Sequence, residues 1–486
     1  MTGSKLIFWL FALLVIIFVG MLTGLGGGIP ALALVIGIIG LVAIFIEFRL
    51  GVVALVLMMP LTATIVMPRQ LLGIPGFTPL NAVLALTFTS LVLVALFSRR
   101  KFIPIPWNIF LPIIFLLALG TYVGAGKIKL IASHFYLENP FLYRTSMAYA
   151  FDEFVKPCVY LIPVWMIAVA VVQSEKPDRW LNVVNVSVLA LPSLIIALVI
   201  VSGYSLRELA TPAARTFLSA TGLHANALSV LLLPTFAAAL FMFPAHTTLR
   251  GRIFGLIVLG ASTLALLFTF SRAAFLGVLL VTGVFFFLRG NFRYILAGLV
   301  ICAFVAAILP DAFIERATTG FGQGGVGTRH DTLTAGRVGG IWLPLLPEVL
   351  SHLMLGDGVN STPWSLAART GIIVEGHPHN AYLRVLMDHG LVGLAVVGYF
   401  LWQVWTLFRR CANNMELSPL MRAYFNGMSV SFAVFLVQCV SGSRLVFDYI
   451  QVFYWFAIAI GLALEYRCKI AEAGKGSTNA MSLGRA

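Results

Sequence analysis

The sequence predicts an all-α polytopic membrane protein with about fourteen transmembrane helices. Hydrophobic residues make up 60% of its 486 residues and charged residues only 10%, a composition that excludes an ordinary soluble protein. Apolar runs long enough to cross about 30 Å of hydrocarbon as helices recur along nearly the whole chain. Basic residues concentrate in alternate connections between these runs, as expected for a chain threaded repeatedly through a membrane.

The first apolar run has no small-residue cleavage site and leads through the glycine-rich residues 24–28 into a second run, so we interpret it as a retained span. The expected spans are residues 6–22, 30–46, 52–67, 79–97, 107–123, 155–172, 182–201, 220–243, 253–270, 274–288, 293–309, 390–408, 424–441 and 448–464.

The net charge of +14 indicates topology and not a nucleic-acid partner. With the N-terminus inside, the inner connections and the tail hold most of the basic excess, whereas the outer connections are close to neutral. We therefore expect both termini in the cytoplasm. The inner connections are too short for a catalytic domain, so any chemistry is expected on the outer face.

Three regions follow from this topology. Residues 1–309 are expected to hold eleven membrane helices and an outer loop at 124–154. Residues 310–388 form a large outer, periplasmic loop, and residues 389–486 form three further helices and a cytoplasmic tail. Within the large loop, "GRVGGIWLPLLPEVLSHLML" predicts short amphipathic helices at the membrane surface, broken by Pro344 and Pro347.

The stretch "EGHPHNAYLRVLMDHGLVGL", residues 375–394, is unusually polar for this chain. Pro378 disfavours helical angles at the residue before it, and Asn380 is a good N-cap for a helix beginning at Ala381. Gly390 can end that short helix. His379 would then lie just before a helix N-terminus, where partial positive charge favours a bound anion.

No metal or other cofactor is expected. His377 and His379 lack a third ligand at a metal-site spacing, and His330 and His352 are interpreted as solvated loop residues. The five cysteines form neither a metal-ligand pattern nor a disulfide framework, because they lie singly along the chain at Cys158, Cys302, Cys411, Cys439 and Cys468.

The stretch "LLFTFSRAAFLGVLL" places Ser271 and Arg272 in a minimal outer turn between two apolar runs. Placing an arginine near the hydrocarbon edge has an unfavourable free energy. The side chain therefore either extends to the lipid headgroups or binds an anionic group through its planar guanidinium. Arg337 and Arg215 could join it in binding an anion. Weaker candidates for binding the same anion are Arg144, Arg207, Arg329, Arg369 and Arg444.

These residues carry a resemblance to a known family. His379 and Asn380, followed after nine residues by Gly390 and Gly393, resemble the signature of the O-antigen ligase and O-antigen polymerase superfamily. The "TFSRAAFLG" turn is similar to that family's Ser-Arg element, and "AGRVGGIW…LGDGVNS" resembles the segment that precedes its histidine. The resemblance covers roughly residues 220–410.

The resemblance implies a GT-C-like, metal-independent, inverting glycosyltransferase in the bacterial inner membrane, with its active site facing the periplasm. Its donor would be a glycan on undecaprenyl pyrophosphate, and its partners would be a glycan acceptor, membrane lipids, a flippase and a chain-length regulator. His379 would be the catalytic base and Arg272 the pyrophosphate ligand. Further implied substrate-binding residues are Arg337, Arg215, Asn380, Ser271 and Arg144.

Elementary chemistry agrees with this implication. Nucleotide sugars are not available outside the inner membrane, so a transferase there needs a lipid-carried donor. Pyrophosphate is a good leaving group whose departing charge arginines can stabilise. An acceptor hydroxyl must lose a proton, and histidine suits that role near neutral pH. His377 and His389 are expected to matter much less than His379.

Two alternatives stay open at this point. A polymerase would pass the glycan to a lipid-linked repeat and a ligase to a lipid A core; the count of fourteen spans favours a polymerase, because the family's ligases tend to have fewer. A protein of another class, a small-anion (inorganic carbon) transporter, would need ionisable residues near the bilayer midplane. The expected spans contain almost none.

Overall fold

The computed structural model describes residues 37, 39–71, 74–97, 102–138, 142–205, 208, 214–290, 334, 336–442 and 444–483. The expected spans 6–22 and 293–309 lie outside these ranges, as does about half of the span 30–46. Within the described ranges the only strands are β1 (Gln70–Leu71) and β2 (Ile74–Pro75), a two-residue antiparallel pair.

Almost all other regular structure in the described part is helical. The helices are α1 (Phe48–Met58), α2 (Pro79–Phe97), α3 (Trp107–Gly124), α4 (Ser133–Glu138), α5 (Ser146–Val172), α6 (Arg179–Ser202), α7 (Ala225–Met242), α8 (Leu249–Phe268), α9 (Arg272–Leu288), α10 (Leu343–Ser351), α11 (Leu366–Arg369), α12 (Ala381–Asn413), α13 (Pro419–Gln438) and α14 (Val452–Leu483). Short 3₁₀ turns lie at Met59–Leu61, Ile128–Leu130, Ala214–Thr221, Phe243–Ala245, Thr362–Trp364 and Tyr449–Gln451.

Nine helical segments of the described chain are long and apolar enough to cross a membrane: α2, α3, α5 to α8 and α12 to α14. The prediction of an all-helical, multi-pass membrane protein is therefore confirmed, whereas the count of fourteen spans stays a prediction. Helices α1, α9 and α10 are apolar but shorter.

One compact unit contains Met1–Met59 and Met67–Phe102, and within it α1 packs against α2. The Ser90 hydroxyl donates to the carbonyl of Phe45 at 3.0 Å. The span expected at 52–67 is wrong in its bounds, because α1 begins at Phe48 and its 3₁₀ extension ends at Leu61. Pro60 has no N–H to continue the helix, and turns follow it.

In the second unit, Pro60–Val66 and Ile103–Ala486, helix α7 occupies the middle of the bundle. It packs against α8, α9 and α13, while α14 packs on α5 and α12 packs on α3. Helix α7 is buried along most of its length because it is apolar all round, with Leu228, Leu232 and Phe236 almost wholly enclosed.

The expected outer loop 124–154 is shorter than predicted. Helix α5 already begins at Ser146, where the Thr145 side chain caps it by accepting from the Ala148 N–H. The charged residues Asp152 and Glu153 lowered the local hydropathy, but they lie in a π turn of this helix, Phe151–Val155. The start of α5 is therefore helical despite its charge.

The rest of that connection packs against part of the large loop. The Tyr149 hydroxyl donates to the Val359 carbonyl at 2.8 Å, and the Ala132 N–H donates to Pro363. Apolar side chains close this contact, among them Phe135 and Trp364. The described parts of the two expected outer loops thus pack against each other.

The amphipathic element is a single helical stretch, not a broken one. A π turn, Val338–Trp342, continues directly into α10, which runs through Pro347 to Ser351. Pro344 does not interrupt it because the first turn of a helix needs no N–H there. One face is buried, and large apolar side chains on the other face, Leu343, Leu346 and Leu350, are exposed, as expected at a membrane surface.

Helix α12 contains the predicted break. Gly390 has φ +64°, ψ −160°, which divides a short polar helix starting at Ala381 from the long apolar helix that follows. A Cβ at Gly390 would lie 2.4 Å from the Met354 carbonyl oxygen, so the position requires glycine. The backbone of the preceding loop fills the break: Leu391 and Val392 donate to Leu353 and Met354.

Candidate active site

A cleft of about 640 Å³ opens where the start of α7, the start of α12 and the α13–α14 connection meet. Two of the histidines of the polar stretch, His377 and His379, face it. Its other lining residues are His224, Asn226, Ala227, Val230, Cys439, Ser441, Gly442, Arg444, Ile450 and Gln451.

The His-Pro-His turn is held in an unusual conformation. His379 has φ +52°, in the left-handed region that a residue with a Cβ rarely occupies. The Trp342 indole N–H donates to the Pro378 carbonyl at 2.8 Å, which fixes the turn from outside. Asn380 then caps α12, as predicted, by accepting from the N–H groups of Tyr382 and Leu383. Such strain is tolerated where surrounding contacts impose it, often at functional sites.

The two imidazoles are adjacent and neutral. The ring centroids of His377 and His379 are 4.1 Å apart. Burial, followed by the charges of Arg337 and His224, lowers the pKa of His379 to about 4. Burial, together with His379, Arg384 and neighbouring cations, lowers the pKa of His377 to about 3. Both rings can therefore accept a proton at physiological pH.

Two arginines act electrostatically on this site. Burial lowers the pKa of Arg337, and the nearby charge of Arg272 lowers it further. Arg337 in turn lowers the pKa of His379. Arg337 also donates from Nη1 to the carbonyl of Ser441, a residue of the cleft wall, at the long distance of 3.5 Å. Arg337 therefore borders the cleft, and its pKa responds to Arg272.

The Ser-Arg turn has the predicted form. Helix α8 ends at Phe268 and α9 begins at Arg272, with only three residues between them. Phe270 has φ +48°, a second strained position at this site. The buried Ser271 hydroxyl donates to the Asn226 side-chain oxygen at 2.7 Å, which ties the turn to the start of α7.

Other predicted site residues are not brought to the cleft. Arg144 is exposed, with its guanidinium 5.5 Å from the ring centre of Tyr136. Arg369 is exposed at the end of α11. Arg215 lies in a 3₁₀ turn, with its side chain outside the described part of the structure, and Arg207 and Arg329 lie wholly outside it. Substrate contacts by Arg215 and Asn380 stay predictions.

Several residues at this end of the bundle were not singled out from the sequence. His224 caps α7 and lines the cleft, and Arg384 acts on the pKa of His377. Arg444, only a weak candidate from the sequence, lines the cleft directly. In the sequence, each of these residues is only a histidine or arginine at the end of an apolar run. That pattern does not predict which helix ends lie next to one another in the fold.

Glu348, His352 and Asp357 have ligand atoms within 4.8 Å of one another, a grouping absent from the sequence prediction. The Asp357 carboxylate is already engaged by the Lys127 ammonium and by the Trp364 indole N–H. His352 Nε2 lies 3.3 Å from the same carboxylate. These contacts account for the group as an ion cluster that joins the two loops.

A comparison with protein families finds a match that covers part of this site. The model described as O-antigen ligase matches residues 255–398. That range includes Arg272, Arg337 and His379. No curated protein matches the chain significantly. Residues 255–398 of this multi-pass membrane chain are therefore similar to the O-antigen ligase family, as the sequence motifs predicted.

Proposed function

We propose that this protein transfers a glycan from undecaprenyl pyrophosphate to a sugar hydroxyl, without a metal and with inversion at the transferred carbon. The observation that supports it most is that two arginine-bearing segments contact the wall of the cleft that His379 lines: Arg337 donates to Ser441, and the Ser271 hydroxyl, next to Arg272, donates to Asn226. Cations for a departing pyrophosphate and a neutral base for an incoming hydroxyl are the two requirements of such a transfer.

The proposed chemical step uses both arginines and His379. The pyrophosphate of the donor lies against Arg272 and Arg337, and the acceptor hydroxyl lies against His379. The hydroxyl oxygen forms a bond to the anomeric carbon as the bond from that carbon to the pyrophosphate oxygen breaks. The hydroxyl proton passes to His379, and undecaprenyl pyrophosphate leaves with the bonding electrons, its charge stabilised by the guanidinium groups.

The proposed acceptor is a second lipid-linked repeat, which makes the protein a surface-polysaccharide polymerase. This choice rests on the expected fourteen spans. A ligase that delivers the glycan to a lipid A core is the alternative within the same chemistry. We propose the bacterial inner membrane as the location and the periplasm as the side that the cleft faces, with a flippase supplying the donor and a chain-length regulator as a further partner.

Deletion of the gene from its host is expected to change the lipid-linked glycan pool. A polymerase mutant accumulates single repeats on undecaprenyl pyrophosphate, because transfer between carriers stops. A ligase mutant accumulates long chains on the carrier instead. Mass spectrometry of extracted lipid-linked glycans measures both, and complementation with the intact gene is the control. An unchanged glycan pool would contradict the proposal in either form.

Transfer is expected to persist in mild acid. His379 must be neutral to act as a base, and its pKa lies at about 4 instead of its ordinary value near 6.5. The rate therefore falls only as pH drops through about 4. In kcat/KM, which reports the free enzyme, the acid limb is expected there. In kcat the limb should move upward, because bound pyrophosphate is an anion near the imidazole. An acid limb near 6.5 in kcat/KM would contradict the assignment.

A further inference from the structure

Next to the histidine cleft lies a second, small cavity of about 60 Å³. One face of the short polar helix at the start of α12 forms part of its wall, through residues at helical spacing: Ala381, Arg384, Val385 and Asp388. Arg444 lines both this cavity and the histidine cleft. The two spaces therefore meet at Arg444.

His377 lines the cleft and is coupled electrostatically to the second cavity. Its pKa responds both to His379 in the cleft and to Arg384 and Arg444 of the second cavity. The pKa of His379 responds instead to Arg337.

The cavity contains carboxylates and guanidinium groups in nearly balanced numbers. Two of the acids are already satisfied by the protein. Asp388 accepts from the N–H and hydroxyl of Ser361, at 2.9 and 2.8 Å, and pairs with Arg384. Asp448 accepts from the Ile450 N–H at 2.7 Å and from Arg444 at 2.6 Å.

Glu153 is the third acid, and it differs from the other two. It projects from the π turn of α5 into the cavity and is within electrostatic range of Arg444 and Arg384. In the described part of the chain its carboxylate makes no hydrogen bond. Its oxygens can therefore accept hydrogen bonds from a ligand, and Arg444 offers further N–H groups beside them.

We propose that this second cavity is the subsite for the acceptor glycan, with Glu153 accepting hydrogen bonds from its hydroxyl groups. The chemistry favours a neutral sugar over a second pyrophosphate, because both arginines of the cavity already pair with carboxylates. Hydroxyl groups can use both the carboxylate and the guanidinium groups. Apolar wall residues such as Leu117, Val359 and Phe447 suit the C–H faces of a sugar ring. This assignment rests on the proposed function.

The test measures binding directly, because a polymerase would use the same molecule as donor and acceptor and steady-state constants would not separate them. The probes are the host's repeat-unit oligosaccharide, released from its lipid by mild acid, and inorganic pyrophosphate. The oligosaccharide has no phosphate and can use only sugar contacts. Both are titrated against the full-length protein in nanodiscs.

Glu153→Gln is expected to weaken oligosaccharide binding about tenfold or more and to leave pyrophosphate binding unchanged, because the amide replaces one acceptor oxygen of the side chain with a donor group. Val446→Trp, which fills the cavity from a half-buried loop position and keeps every charge, is expected to do the same. Asp152→Asn is the matched control, because this neighbouring acid pairs with Lys156 and does not line the cavity.

Unchanged oligosaccharide binding in both variants would overturn the subsite, and so would a failure of the wild-type protein to bind the oligosaccharide. Loss of pyrophosphate binding in the variants would also overturn it, by assigning the cavity to the donor. Failure of the proposed function looks different: the wild-type protein would then bind the oligosaccharide but transfer nothing between lipid carriers.

Discussion

Replacement of Arg272 with alanine is expected to abolish glycan transfer while the protein stays folded in the membrane. Arg272 begins α9 after a strained three-residue turn and lies beside Arg337. The Ser271 hydroxyl donates to Asn226, which lines the cleft, and this contact holds the turn before Arg272 next to the cleft. Arg272→Lys is expected to restore little activity, because lysine keeps the charge but loses the planar fork that matches phosphate oxygens. Transfer between purified lipid-linked glycans measures both variants.

The matched control lies at the other end of the same helix. Arg289 follows the last residue of α9, and its guanidinium is 5.0 Å from the ring centre of Phe285. Arg289→Ala should keep near-normal transfer, because it removes an arginine of the same helix far from the cleft. Near-normal transfer by both Arg272 variants would favour the alternative account, in which Arg272 only snorkels to lipid headgroups.

Structural features that depend on a short stretch of sequence were predicted correctly. The cap at Asn380, the break at Gly390 and the Ser271-Arg272 turn each depend on a few neighbouring residues. A capping side chain, a glycine with positive φ and a polar pair between apolar runs act locally, so their consequences can be derived without the fold.

Features that depend on contacts between distant segments were not predicted. Glu153, Arg384 and Arg444 line one cavity although they lie on three separate elements of the chain. Glu153 was assigned to a loop because its charge lowers local hydropathy, whereas tertiary packing continues α5 through it. Hydropathy reports the average environment of a window and not the single buried charge within it.

The proximity of His377 and His379 also depends on contacts that the sequence does not reveal. Pro378 correctly marked a break before the helix, and this separation suggested that His377 would not share the site. The left-handed angle at His379 instead turns the chain so that both rings face the cleft. That angle is imposed by the surroundings of the turn, such as the Trp342 contact. Neither His377 nor His389, which lines the second cavity, is therefore a clean control.

Loss of the His379 imidazole is expected to slow transfer by at least roughly the 10²-fold typical of a lost general base, without loss of donor binding. The sharper variant is His379→Asn, not His379→Ala. Asparagine tolerates a φ of +52° better than alanine does, so the strained turn survives while the base is removed. An equal loss in both variants assigns the effect to the imidazole and not to the turn.

His352→Asn is the matched control, because His352 is half exposed at the end of α10 and lies outside both cavities. It should transfer at the wild-type rate.

His377→Asn is expected to lose less transfer activity than His379→Asn. The His377 ring packs on the base, and Arg337 acts on the pKa of His379 and not on that of His377. The assay uses an undecaprenyl-pyrophosphate glycan with EDTA present. Full activity of His379→Asn would remove the base assignment, and EDTA inhibition that zinc reverses would replace it with a metal-dependent step.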